Sequence, residues 1–462
     1  MGILIENLKN KVSKRSFLFF IAFFIFNFAF IFADSTEKKL LENNIPVYIK
    51  KIDNSRVCAV SIVVSGGILH FSPEYSGIEN AVFNMMTSGS TNYSKQQLQA
   101  FSYYTQGGIS SSSNRYGSVL SMNCIDSYFD STLDILIDGF TNPLFDEKEY
   151  SLMIQSFNQN VQYILNEPRS MLFYYADKIL YDGTPYATET NVTPESIKNI
   201  TVENMKNFHS DLLDSRRISV VAVGNFDENA LLLKLNEKIG KISAKKNVLP
   251  KFKEQNLKVS GEPVVLFSKD AKNSGFIIRT FASPSVRSGD YAVSRLVELV
   301  YSDILYNVVR ERDGICYTPS SFVFSSDCAF GVEELYRVSN LSDFKSSLDD
   351  ARKIMMEGKV ISGRDSSGNF IFNKLEEKLE GYKNKYVNMK YSSQDTVFGI
   401  ASRMCAGILQ FNDISASENL TQKVKDVTTS DILRVFNKYW QSDNFRWFAV
   451  VAPEEENKLP QM

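Results

Sequence analysis

Beyond residue 33 the chain alternates between two kinds of hydrophobic pattern. Val57–Ser65 is a near-continuous apolar run of strand length, and Gly117–Cys124 is strand-like. Buried strands read this way. Val220 to Val223 and Phe448 to Val451 are shorter runs of the same kind. Other segments place an apolar residue every three or four positions, the spacing of one helix face. These are Ile78–Met86, Tyr128–Phe140, Glu147–Leu165 and Arg169–Tyr181, then Asp290–Arg312 and Asn369–Val387. The run Thr105 to Asn114 (TQGGISSSSN) fits neither pattern and reads as a polar turn entering a strand.

The pattern occurs twice. From Ile197 the sequence is IKNITVENMKNFHSDLLDSRRISVVAVG, and from Val424 it is VKDVTTSDILRVFNKYWQSDNFRWFAVVA. Each reads as a Thr-containing turn, an amphipathic helix and an apolar strand. Thr201 and Thr428 are the expected helix N-caps, since a hydroxyl accepts an orphan backbone N–H. VCAVSIVVSGG from Val57 is echoed by GFIIRTFASPS from Gly275. Two homologous α+β halves follow, 36–240 and 263–455, each an antiparallel-leaning sheet covered on one face by helices. The Lys-rich stretch 241–262, which contains Pro250, fits an exposed linker.

Composition narrows the class. Of 462 residues, 44% are apolar and 23% charged, an ordinary globular balance. Lys and Arg number 51 against 53 Asp and Glu, so no basic excess points to nucleic acid. Lys9, Lys11, Lys14 and Arg15 precede an apolar run from Phe17 to Ala33. That order describes a secretory signal, or an uncleaved anchor, in residues 1–33. Either way the bulk of the chain is expected to be exported, periplasmic or extracellular. The five cysteines show no CxxC spacing. They read as buried free thiols, with Cys316 and Cys328 the pair that a hairpin could join.

Histidine decides more than any other residue type: there are two, His70 and His209. His70 reads as a strand-end or turn residue and His209 as a partly exposed helix residue. A metal site built from His70, Glu74 and Glu79 lacks a second histidine. TQGGISSSSN lacks the GK[ST] ending of a phosphate cradle.

GGILHFSPEYSGIENAVFNMMTSGS, from Gly66 to Ser90, resembles the opening of the pitrilysin/insulinase superfamily of zinc peptidases, which includes mitochondrial processing peptidase. GTPYATETNVTPESIKNIT from Gly183 and VVAVGNFD from Val220 resemble later segments of that family, in the same order. In the family a helix carries HxxEH: two His one turn apart hold zinc and the Glu activates water. The resemblance puts Asn80 and Asn84 at the two histidines and Phe83 at the glutamate. It puts Asn160, eight residues before Pro168, at the third ligand. Amide oxygens are weak, neutral zinc ligands and a phenyl ring accepts no proton, so hydrolysis at this site is expected to be absent.

In the second half, VVRERDGICYTPSS from Val308 resembles the family's helix–turn–strand element. There an Arg and a Tyr seven residues later face the zinc; here they are Arg310 and Tyr317, with Gly314 in the turn. A guanidinium and a phenol suit a substrate carbonyl and its developing oxyanion. The resemblance therefore implies a non-catalytic subunit of an exported heterodimeric zinc endopeptidase. The zinc and HxxEH would belong to a partner chain, and an unfolded peptide would be the substrate. The alternative is a standalone peptide-binding or scaffold protein.

Overall fold

The computed structural model describes residues 36–392 and 396–462. The expected signal or anchor in residues 1–33 lies outside the described residues. Among the described residues no helix is long and apolar enough to cross a membrane.

The strands of the first half are β1 (Glu37–Leu40), β2 (Pro46–Lys51), β3 (Val57–Ser65), β4 (Gly108–Asn114), β5 (Gly117–Ile125) and β6 (Ile218–Gly224). They form one six-stranded sheet in the order β1-β2-β6-β3-β5-β4. The second half contributes β7 (Val264–Phe267), β8 (Gly275–Ala282), β9 (Cys316–Val323), β10 (Phe330–Val338), β11 (Lys359–Arg364), β12 (Phe370–Lys374) and β13 (Phe445–Val451). Its five-stranded sheet runs β7-β13-β8-β10-β9, and β11 and β12 pair as a separate hairpin.

The two large sheets have one topology. In each, the strand that closes the half pairs in parallel with the strand that opens it: β6 with β2, and β13 with β7. The central strand, β3 or β8, is antiparallel to both its neighbours. β1 has no counterpart in the second sheet. The Thr caps stand where the sequence puts them. Thr201 accepts from the Asn204 N–H, and Thr428 forms a reciprocal capping box with Asp431.

One face of each sheet packs on helices of its own half. The first core joins Val60, Ile62 and Leu120 to Phe83, Leu133 and Met205. The second joins Ile277 and Phe281 to Leu296, Val300 and Phe436. The other face is covered too, which the sequence did not indicate. Helix Pro168–Leu180, from the first half, lies on β8 and β13, packing Leu172 and Ala176 against Ile278, Val332 and Val450. Helix Val397–Phe411, from the second half, lies on β3 and β6, packing Ala401 and Met404 against Ala59, Val63 and Val221. Each half thus lends the other a helix. The seam is tied by Arg169, which makes a two-pronged ion pair with Glu334 at 2.5 and 3.0 Å. The Tyr116 hydroxyl also donates to Asp327 at 2.9 Å.

Several sequence expectations need correction. The serine run is not a turn: Gly108–Asn114 is β4, the edge strand, paired with β5 along its length. Its inward positions are Ile109, Ser111 and Ser113, so one apolar residue is all that the local pattern offers. Pairing overrides propensity here. Asn369–Val387 is not one helix; β12 precedes helix Leu375–Ser392. Asp290–Arg312 is helical as Tyr291–Leu305, then continues as a π-helix over Tyr306–Arg312. Residues 242–262 form neither helix nor strand, but Leu257 and Val259 are buried in the core between the halves. Cys316 starts β9 opposite Val338, whereas Cys328 precedes β10. They lie at opposite ends of the hairpin, roughly 20 Å apart at the usual strand rise, and cannot pair.

Candidate functional site

The central strand β3 delivers the chain to Gly66, whose φ is 113° and whose missing Cβ leaves room for the His70 ring. A short 3-10 turn, Gly67–His70, follows. Gly77 then opens helix Ile78–Met86 in the left-handed conformation, φ 85°, with Val192 too close for any side chain. Both turns require glycine, and together they fix the angle at which the helix leaves the sheet.

On that helix every residue except Asn80 and Asn84 is buried. These two sit at i and i+4, so they share the outward face. Asn80 donates its amide to the Asn191 side chain at 3.2 Å. Phe83 is fully buried and belongs to the core of the first half. Asn160 is exposed on helix Glu147–Asn166, which packs against this helix. Two neutral amides on one face, a third on a neighbouring helix and a phenyl ring turned inward do not fit zinc. Among the described residues no group of three His, Cys, Asp or Glu side chains could hold a metal ion. Glu79 is engaged by Arg217, His70 packs against Gly66, and Glu74 is exposed beside Ser72.

The sequence did not reveal that arginine. Arg217 and Glu79 form an ion pair at 3.5 Å with 4% of each side chain exposed. Arg217 Nε donates to the Ser65 carbonyl at 2.8 Å. The Ser118 hydroxyl donates to Glu79 Oε1 at 2.7 Å and lies 2.7 Å from the Ser113 hydroxyl. Burial raises the Glu79 carboxyl above its ordinary value, against the pull of Arg217 and Ser118. Burial, then the Arg217 charge, push His70 down to about 4. The available signal was a charged pair, Arg216–Arg217, directly before a wholly buried strand. His209 is not partly exposed. It is buried, with Nε2 2.9 Å from the Phe140 carbonyl, and burial lowers its pKa.

In the second half the structure does bring its two residues together. The Arg310 guanidinium lies 4.2 Å from the centre of the Tyr317 ring and 4.9 Å from that of Tyr306. Tyr317 is 66% exposed and Tyr306 41%. The π-helix that carries Arg310 ends before Gly314, whose φ of 61° makes the turn into β9. A π-turn is a frequent device for re-aiming a functional side chain. The result is a half-buried cation held between two exposed aromatic rings, with the Tyr317 phenol beside it. Tyr306, the second ring, was not picked out in the sequence. Arg310 Nε also lies 3.3 Å from Glu311.

Comparison with known proteins agrees with this layout. The family model for insulinase (peptidase family M16) matches residues 47–193, and that for the peptidase M16 inactive domain matches 199–344. An uncharacterized zinc protease of Rickettsia felis is 18% identical over 90% of this chain and 97% of its own. Among solved structures, a protease from Helicobacter pylori has a TM-score of 0.77 at 14% identity, covering 90% of this chain and 99% of that one. A peptidase M16 inactive domain from Pseudomonas fluorescens has a TM-score of 0.74 at 13% identity, covering 90% and 98%. The periplasmic protease PqqL from Escherichia coli has a TM-score of 0.71 at 14% identity; this chain covers 46% of its length.

Proposed function

The chain belongs to the insulinase (M16) peptidase family, and from that premise we propose that it is an exported, non-catalytic subunit of a zinc endopeptidase. It would pair with a chain of the same family that carries HxxEH and zinc, and would supply Arg310 and Tyr317 to an unfolded peptide substrate.

The observation that carries this reading is the contrast between the two halves. The helix at the metal-site position presents Asn80 and Asn84 and buries Phe83, which leaves no charged ligand and no base. Arg310 and Tyr317, by contrast, remain together, the arginine half-buried and the tyrosine exposed. The chemistry of such a pair is donation. The phenol and the guanidinium N–H groups hold a carbonyl oxygen in place and stabilise negative charge as it develops there. The water and its activation would come from the partner's zinc.

The test is reconstitution with an HxxEH-bearing family chain from the same genome, using an unstructured fluorogenic peptide. Activity should need both chains, and Arg310→Ala and Tyr317→Phe should each lower it at least tenfold without altering the unfolding midpoint. Full activity in both variants, or stoichiometric zinc and cleavage by this chain alone, would overturn the proposal.

A standalone peptide-binding protein is the second reading. β4 favours it: an edge strand offers backbone donors and acceptors to which an extended peptide can add. Peptide binding at full affinity without any partner, together with no HxxEH-bearing chain encoded beside it, would select this reading.

A further inference from the structure

We propose that Cys58 and Cys124 form a cross-strand disulfide when the chain folds under oxidising conditions. The two residues are register partners in the antiparallel pairing of β3 and β5. Directly opposed residues in such a pair have Cα atoms about 4.5–5.5 Å apart. That lies within the roughly 4.4–6.8 Å range a disulfide spans. Both side chains point to the same face of the sheet, since both belong to the core of the first half. The structure holds all five cysteines as buried free thiols. The other three have no such partner in register: Cys316 faces Val338, Cys328 lies outside the strands, and Cys405 is on helix Val397–Phe411.

The chemistry needs an oxidant, and a disulfide donor such as glutathione disulfide supplies it. One cysteine thiolate attacks the donor and releases one glutathione thiol, leaving a mixed disulfide. The second cysteine then attacks the protein sulfur and releases the other glutathione. Two thiols lose two electrons and two protons, and the donor disulfide is reduced to two thiols. Burial raises the pKa of both thiols, Cys124 to about 11, so the closed sheet contains little thiolate. The bond therefore forms while β3 and β5 are still assembling, and the finished core then shields it. It would fasten the start of β3, the central strand whose far end delivers Gly66 and the pseudo-site helix. This site does not depend on the subunit reading above, because it uses neither Arg310 nor a partner.

The experiment is refolding of the full chain from denaturant in a glutathione redox buffer, then alkylation of free thiols and peptide mapping without reduction. The expected result is one linked peptide pair joining Cys58 to Cys124, with Cys316, Cys328 and Cys405 alkylated. The urea midpoint should then fall on reduction of the wild type and stay unchanged on reduction of Cys58→Ser. Alkylation of all five cysteines, or a link between any other two, overturns the proposal. If Cys58→Ser does not fold, the map of the wild type still decides.

Discussion

Glu79 in the first half and Glu333 in the second are both buried against arginine, and the two behave in opposite ways. Glu333, on β10, accepts from Tyr301 at 2.8 Å, from Arg352 Nε at 3.1 Å and from Arg279 at 3.4 Å. Burial opposes its charge, but Arg352 and Arg279 outweigh burial and hold the carboxyl below its ordinary value. Glu79 has one arginine at 3.5 Å and one serine donor, and its Oε2 and Arg217 Nη2 make no hydrogen bond. Burial wins there, and its pKa rises. The lesson concerns partner number rather than depth. A buried carboxylate stays charged when several donors share the cost of drying it, and drifts towards neutrality when one distant partner has to suffice.

The largest expected effect is at the well-served site. Glu333→Ala removes the buried counter-charge of Arg279 and leaves Arg352 only its outer pair with Asp349, and should lose roughly 3–5 kcal/mol in urea unfolding. A loss as small as a surface substitution gives would contradict the account of that network. Glu79→Gln mimics the protonated carboxyl and should cost about 1 kcal/mol at neutral pH, the size of one hydrogen bond. A loss equal to that of Glu333→Ala would erase the contrast.

The pH dependences have opposite signs. For Glu333, with a lowered folded-state pKa, the contribution is present above the ordinary value of 4.5 and is lost as pH falls through the folded value. For Glu79, with a raised one, it is present below 4.5 and is lost as pH rises through the folded value. Stability measured against pH should decline less steeply above pH 4.5 in Glu79→Gln, the rest of the decline coming from Asp177 and Glu298, while its acid limb is kept. The smallest effect is at the matching helix caps. Thr201→Ala and Thr428→Ala should each cost about 1 kcal/mol. Thr428 should cost more, because its hydroxyl also donates to Asp431 Oδ2 at 2.6 Å.

What the sequence made legible follows from how local each signal is. β3 and helix Ile78–Met86 match their expected limits because a continuous apolar run, or a clear apolar stripe, is written in consecutive residues. The repeated Thr–helix–strand module survives in both halves for the same reason. β4 was illegible because serines carry no burial signal and its order comes from β5. Of the two lent helices, Pro168–Leu180 was legible as a helix and Val397–Phe411 was not singled out, and periodicity does not say which sheet a helix covers. Asn80 and Asn84 could be placed on one helix face from spacing alone. The Glu79–Arg217 pair could not, since its members are far apart in sequence and meet only when β6 closes the sheet. Tyr306 was hidden by the π-helix, which changes the angular spacing that a helical wheel assumes.

The exchange of helices between the halves also bears on synthesis. When β6 leaves the ribosome, the first sheet has all its strands, yet Ala59, Val63, Val221 and Val223 still lack the cover that residues 397–411 provide. That face stays open until helix Val397–Phe411 is translated, well into the second half. A nascent chain in this state exposes sticky apolar surface that invites holding by a chaperone. A product truncated before Val397 would retain that exposed face permanently, so neither half is a self-sufficient folding unit.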